Sequence, residues 1–256
     1  MSKIKRVSKI CACCGKESKQ IEYLSKFMIN ESLDGRDDDS LELHTCPHCN
    51  YINTDISQLI SEKTLSIVNS DEYKSLVTEE MNFNDLSELA KKFSSPESTM
   101  KNWLTDIYNN IKNWKMFLML NDELSIKQAG YFPTKFYILL KLYFCYSDIY
   151  VVTDNEKDKT IALEYLNQAI NIGLLQQDNE DDEDIIDISQ ALILLDCMRQ
   201  SELWEESLDL IMTLEQLIIA DGILEYSKEY IILLYERKLI KAHDNTVQSI
   251  HNIRLD

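Results

Sequence analysis

Two cysteine pairs within the first fifty residues constrain this chain more than anything else in it: Cys11-Ala12-Cys13-Cys14-Gly15 and Cys46-Pro47-His48-Cys49-Asn50. A C-x-x-C pair brings two thiolates within reach of one metal ion, and a second pair completes a tetrahedral four-cysteine site of the kind zinc prefers. The candidate ligands are Cys11, Cys14, Cys46 and Cys49, and the expected cofactor is a single structural Zn2+ per chain. After the second cysteine of each pair the chain must turn tightly, often at positive φ. Gly15 tolerates this without strain and Asn50 is the next best choice, while Pro47 stiffens the second turn. Alternating segments, Ile4–Ile10 and Ser40–Thr45, precede the pairs and read as short strands of a ribbon. Between the pairs lies an insert with the turn signal Asp34-Gly35 and the acidic run Asp37-Asp38-Asp39.

A redox dithiol is the competing reading of C-x-x-C. That motif normally opens a helix in a βαβ setting, and no βαβ pattern surrounds these pairs. Four thiolates fill the coordination sphere, so no position is left for water or substrate and no zinc catalysis is expected. Cys13 lies inside the first pair and offers a different bite. His44 and His48 also stand close enough in sequence to replace a thiolate. Gly15 favours Cys11/Cys14 as the ligating pair, because it then falls where the turn needs it.

Charge limits the partners. There are 26 Lys+Arg against 44 Asp+Glu, a net −18, and such a surface repels nucleic acid and anionic membranes as a whole. The distribution is uneven. Residues 1–26 hold seven basic side chains (Lys3, Lys5, Arg6, Lys9, Lys16, Lys19, Lys26) against Glu17 and Glu22, a local +5. That arm is a candidate nucleic-acid contact. It also fits a solvated basic edge that discourages strand aggregation.

The first residues carry no apolar secretory segment. The longest apolar stretch, Phe136–Tyr146, is interrupted by Lys141 and is shorter than a bilayer span, so no membrane association is expected. Seven cysteines, an odd number, with four committed to metal, suit a reducing cytoplasm. Only five Gly and three Pro punctuate the chain, which leaves no clustered glycines for a phosphate loop or dinucleotide fingerprint. There is no H-E-x-x-H and no G-x-S-x-G. A non-enzymatic role is therefore expected.

From Asp55 onward the apolar spacing is helical. Ile56, Leu59, Ile60, Leu65 and Val68 suggest a first helix, Asp71–Val77 a shorter one, and residues 85–93 a third. Ser95 reads as an N-cap with Pro96 at the first helical position, followed by a buried face of Trp103, Ile107, Ile111, Trp114 and Leu118. A helix from Thr134 is apolar on most sides and should be central. The aromatic segment 131–150 reads as core, with a ligand groove as the sharper alternative. Ala162 to Ile170 follows the second-helix pattern of tetratricopeptide repeats, with small Ala162 and Ala169 permitting close helix approach. Residues 185–219 give a further helix pair and 223–243 a capping helix. The acidic run 176–184 reads as an exposed loop.

The expected fold is mainly α. A small N-terminal zinc-ribbon-like β element (1–55) precedes an all-helical, tetratricopeptide-like body (56–256). Through Cys11-x-x-Cys14-Gly15, Leu33-Asp34-Gly35-Arg36 and Cys46-Pro47-His48-Cys49-Asn50-Tyr51, the chain resembles an uncharacterised bacterial family. Its members carry paired N-terminal C-x-x-C knuckles followed by a tetratricopeptide-like helical body. The resemblance covers about residues 8–56 and implies zinc binding, with no activity attached. The family usually has Gly where Asn50 stands. A zinc-binding interaction protein taking a protein or peptide partner is the expectation. The alternatives are a nucleic-acid-associated regulator using the basic arm, and a redox dithiol protein should no metal bind.

Overall fold

The computed structural model describes residues 3–25, 42–78, 86–122, 132–177, 187–220, 227–249 and 253. Among them are nine helices and two small antiparallel sheets, so the chain is mainly α with a small N-terminal β element. The described residues fall into two compact units. One holds everything up to residue 122 together with 141–162, and the other holds 132–140 and the residues from 163 onward.

In the first unit, β1 (Lys3–Ile10) and β2 (Glu17–Ser25) pair antiparallel around the first cysteine pair. β3 (His44–Thr45) and β4 (Ile52–Asn53) pair around the second. β3 is shorter than the Ser40–Thr45 strand expected, with Glu42 and Leu43 outside it; Ser40 and Leu41 lie outside the described residues, as do Leu33–Arg36. The inner face of β2 is polar. Ser18 and Gln20 are buried while Ile21 points outward, and Gln20 Nε2 bonds Ser18 Oγ and the Thr45 carbonyl at 2.9 and 3.3 Å.

Helix α1 spans Glu62–Asn69 and starts six residues later than Ile56 suggested. Ile56 is fully buried in the loop after β4, where its carbonyl accepts from the Ala12 N–H at 2.8 Å, whereas Leu59 is wholly exposed. The apolar spacing there is that of a core-facing loop leading to a helix. Ser61 is the N-cap, its side chain accepting from the Thr64 N–H. α2 (Asp71–Thr78) and α3 (Leu86–Lys92) follow. α4 runs Glu97–Leu120 with Pro96, not Ser95, at the cap; no side chain caps it, and the Pro96 carbonyl accepts from Thr99 and Met100. Its buried stripe contains Met100, Leu104, Ile107, Ile111 and Trp114, while Trp103 is partly exposed. Ala90, Met100, Leu104 and Val152 form a core cluster.

α5 (Thr134–Thr153) is buried on most sides, from Phe136 and Leu139 to Tyr146 and Ile149. It is long and apolar enough to cross a membrane, and 56% of its most apolar window is buried within the protein, as in a core helix. Its aromatics are packing groups: Phe132 and Phe136 lie with ring centroids 4.0 Å apart, and both are buried. Tyr131 lies outside the described residues.

α6 (Glu156–Gln177) buries Ala162, Leu166, Ala169 and Ile170. Gly173 lies inside this helix rather than at its end, and a Cβ there would fall 2.7 Å from Leu194 Cδ1. A glycine therefore permits the close approach to α7 (Ile188–Gln200). α7, α8 (Trp204–Ala220) and α9 (Lys228–Lys241) pack on one another. Ala191, Leu194, Leu195, Met198, Ser207, Ile211 and Leu214 are all buried. Of the acidic run, Gln176 and Gln177 end α6 and the remainder lies outside the described residues.

The second unit also buries charge. Arg199 Nε donates to Glu236 Oε2 at 2.8 Å, Nη1 donates to the carbonyls of Asp244 and Thr246 at 2.6 and 2.9 Å, and Nη2 donates to Asp196. Gln200 Nε2 donates to the other Asp196 oxygen at 2.7 Å. The guanidinium thus ties α7 and α9 to the segment after α9. Two buried carboxylates face one cation, and Glu236 Oε1 has no hydrogen-bond partner. Burial, and then the neighbouring Asp196, push the Glu236 carboxyl well above its ordinary value of 4.5.

A folded-state value raised in this way means that the stabilisation from Glu236 is complete below about pH 4.5 and is lost as pH rises through the folded value. Urea titrations of the full chain from pH 4.5 to 8 should show Glu236→Gln gaining stability relative to the parent as pH rises. Parallel pH profiles for the two proteins would contradict a raised value for Glu236.

Candidate metal centre

Both cysteine pairs fold into the same knuckle, each the turn of an antiparallel strand pair. In the first, the Cys11 N–H donates to the Lys16 carbonyl at 3.0 Å and the Gly15 N–H to the Cys11 carbonyl at 2.8 Å. In the second, the Cys46 N–H donates to the Tyr51 carbonyl at 2.8 Å and the Asn50 N–H to the Cys46 carbonyl at 2.9 Å. Gly15 and Asn50 occupy equivalent places at φ 70° and 59°, the left-handed region that the closing residue of such a turn requires.

Pairing the two knuckles brings four sulfurs together. Cys11, Cys14, Cys46 and Cys49 place their Sγ atoms within 4.8 Å of one another. Cys11 Sγ lies 3.7 Å from Cys49 Sγ and Cys14 Sγ 3.7 Å from Cys46 Sγ, both contacts running between knuckles. A tetrahedron with Zn–S bonds of about 2.3 Å has S···S edges of about 3.8 Å. The closest pairs stand near that edge, and the donor set fits a tetrahedral thiophilic ion. Cys11 and Cys46 are fully buried, while Cys14 and Cys49 are half-buried.

Backbone N–H groups point at the sulfurs and favour their thiolates. Lys16 supplies one to Cys14 and Tyr51 one to Cys49, at matching positions two residues beyond each second cysteine. Burial nevertheless pushes the Cys11 thiol up to about 11, against the N–H groups of Cys14 and Cys13. Cys49 is also pushed up, by burial first, and hydrogen bonds with the other three sulfurs add to the shift. For Cys14, burial opposes ionisation, but the Lys16 N–H and the hydrogen bonds from the other sulfurs outweigh it and hold the thiol below its ordinary value. Four negative sulfurs in contact need a cation among them, because each thiolate opposes ionisation of the next.

The other sequence candidates fall elsewhere. His48 is exposed and its Nε2 meets the Glu17 carbonyl at 3.2 Å, bracing the second knuckle against β2. His44 is buried in β3 opposite Asn53, and neither histidine belongs to the sulfur group. Cys13 stands outside the group, beside Cys49. Lys9 of the basic arm is paired with Glu22 at 2.9 Å and Asp55 at 3.2 Å.

Helix α2 supports the second knuckle in a way the motif does not announce. Tyr73 is buried and its hydroxyl donates to the Asn50 carbonyl at 2.9 Å. Tyr51 is equally buried and accepts from Asn53 Nδ2 at 2.7 Å. A single tyrosine 23 residues past Asn50 leaves no local signal for such a brace. No protein-family model matches the chain, and no curated protein or solved structure is similar enough to it to count as a match.

Left-handed backbone costs about 1–2 kcal/mol for an ordinary side chain. Asn50→Val should therefore weaken metal binding by about tenfold, the equivalent of 1.4 kcal/mol, in competition against a chelator. Asn50→Gly should bind as the parent does. Equal weakening by Val and Gly would show that φ at this position is not what matters.

Proposed function

We propose that this chain is a non-enzymatic zinc protein, in which a closed four-thiolate site holds two knuckle hairpins and a tetratricopeptide-like helical body binds a protein or peptide partner. The observation that carries the metal reading is the group of four sulfurs from two matching knuckles. Thiolates in a tetrahedral array favour zinc over magnesium and calcium, which take oxygen ligands, and the four clustered donors are all sulfur. Cys11, Cys14, Cys46 and Cys49 would hold the ion, which supplies cross-linking rather than Lewis-acid chemistry.

The mutually packed helices α7, α8 and α9 support the interaction reading, because helical-repeat bodies present extended surfaces to peptides. The basic arm is less suited to nucleic acid. Lys9 is already paired, and a zinc tetrathiolate carries a formal −2 that the local +5 of residues 1–26 offsets. A redox dithiol has less support, since neither pair opens a helix.

Protein purified without added metal should carry one zinc per chain, with four thiols protected until a strong chelator is added. A metal-free protein in which Cys11, Cys14, Cys46 and Cys49 react without any chelator would overturn the metal reading. Hydrogen exchange on Cys46→Ser tests the folding link. Protection should fall in residues 42–56 and in α2, which Tyr73 ties to the second knuckle, while α7–α9 keep theirs.

A further inference from the structure

The sulfur cluster is sealed on one side and open on the other. Cys11 and Cys46 are fully buried, but Cys13, Cys14 and Cys49 line a cleft of about 490 Å³ together with Leu65, Val68 and Lys74. Cys13 lies outside the four-sulfur group and interacts with Cys49 through its side chain. When a metal occupies the four thiolates, Cys13 is the one sulfur in the cleft that the metal does not hold.

From this juxtaposition of an open cleft, a metal-ligating Cys49 and an uncommitted Cys13, we propose that Cys13 and Cys49 form an oxidant-responsive pair that releases the metal when a hydroperoxide enters the cleft. The chemistry balances with the hydroperoxide as the two-electron oxidant. The Cys49 thiolate attacks the peroxide, forming an S–O bond as the O–O bond breaks. The departing hydroxide or alkoxide takes up a proton, and Cys49 becomes a sulfenic acid. The Cys13 sulfur, having given up its proton, attacks the Cys49 sulfur. The S–S bond forms as the S–O bond breaks, and the second hydroxide leaves as water. Two thiol sulfurs are oxidised by one electron pair, the peroxide is reduced, and the metal is left with three ligands.

The position of Cys13 makes it the partner. Cys11, Cys14 and Cys46 are the other metal ligands, and only Cys13 is free to attack without first leaving the ion. A Cys13–Cys49 bond also joins the two knuckles, so the hairpins stay tethered after the metal departs and a thiol reductant can restore the site. The apolar wall of Leu65 and Val68 admits a small neutral oxidant, and the Lys74 ammonium lines the space where hydroxide leaves.

The release step rests on the four-thiolate metal reading; the disulfide step does not. The test uses the full chain, zinc-loaded, treated with hydrogen peroxide. Metal release is followed with a chromogenic chelator, and disulfides are mapped by mass spectrometry. The parent should release its zinc and yield a Cys13–Cys49 disulfide, and a thiol reductant should restore zinc binding. Cys13→Ser and Cys13→Ala should bind zinc in the same ratio and retain it at the peroxide dose that empties the parent. Equal release from both variants, or a mapped disulfide between other cysteines, would overturn the proposal. Should the chain take up no zinc, the metal reading fails, and mapping of the peroxide-treated metal-free chain still decides whether Cys13 and Cys49 pair.

Discussion

Four sulfurs at contact distance are the constraint on which the N-terminal element depends. The first hairpin buries little apolar surface of its own, for the inner face of β2 is made of Ser18 and Gln20. Two-stranded sheets are marginal in water without a further cross-link. A metal held among the four thiolates would provide one, with an apparent folding contribution on the order of 10 kcal/mol, comparable to the whole stability of a typical domain. The surrounding bonds orient that cross-link. Gly15 and Asn50 close the knuckles, and the Lys16 and Tyr51 N–H groups face the outer sulfurs. Tyr73 carries the arrangement into α2.

The second unit solves a different problem. Helices α7 and α9 pack over apolar positions, but at the end of α7 they enclose Arg199 with Asp196, Gln200 and Glu236. Removing such charges from water is costly unless each finds a partner. Arg199 meets this by donating to two carboxylates and two backbone carbonyls. Glu236 keeps one oxygen unpaired, and burial holds its carboxyl well above the ordinary value. The network fixes the segment after α9 against the helices, which a purely apolar contact would leave free to slide.

What the chain order reveals follows from how local each interaction is. The knuckles were legible because ligand spacing, a closing Gly or Asn and Pro47 all lie within five residues of one another. The core face of α7 was legible because Ala191, Leu194, Leu195 and Met198 recur at helical spacing. β2 was not legible, since its polar residues face inward and Ile21 faces out, inverting the usual alternation. Ile56 imitated a helical position because a buried loop residue is as apolar as a buried helical one. Arg199 and Glu236 lie 37 residues apart and the Tyr73 brace reaches 23 residues back, so neither leaves a local pattern. Cys13 could be read as a spare thiol from its place in the motif, but not that it lines a cleft beside Cys49.

The central claim is that one metal ion sits among Cys11, Cys14, Cys46 and Cys49. X-ray absorption at the zinc edge of the purified protein tests it most directly. The account predicts a first shell of four sulfurs at about 2.3 Å and no light-atom ligand. A shell containing nitrogen or oxygen near 2.0–2.1 Å would bring a histidine or water into the site and contradict the closed all-thiolate centre.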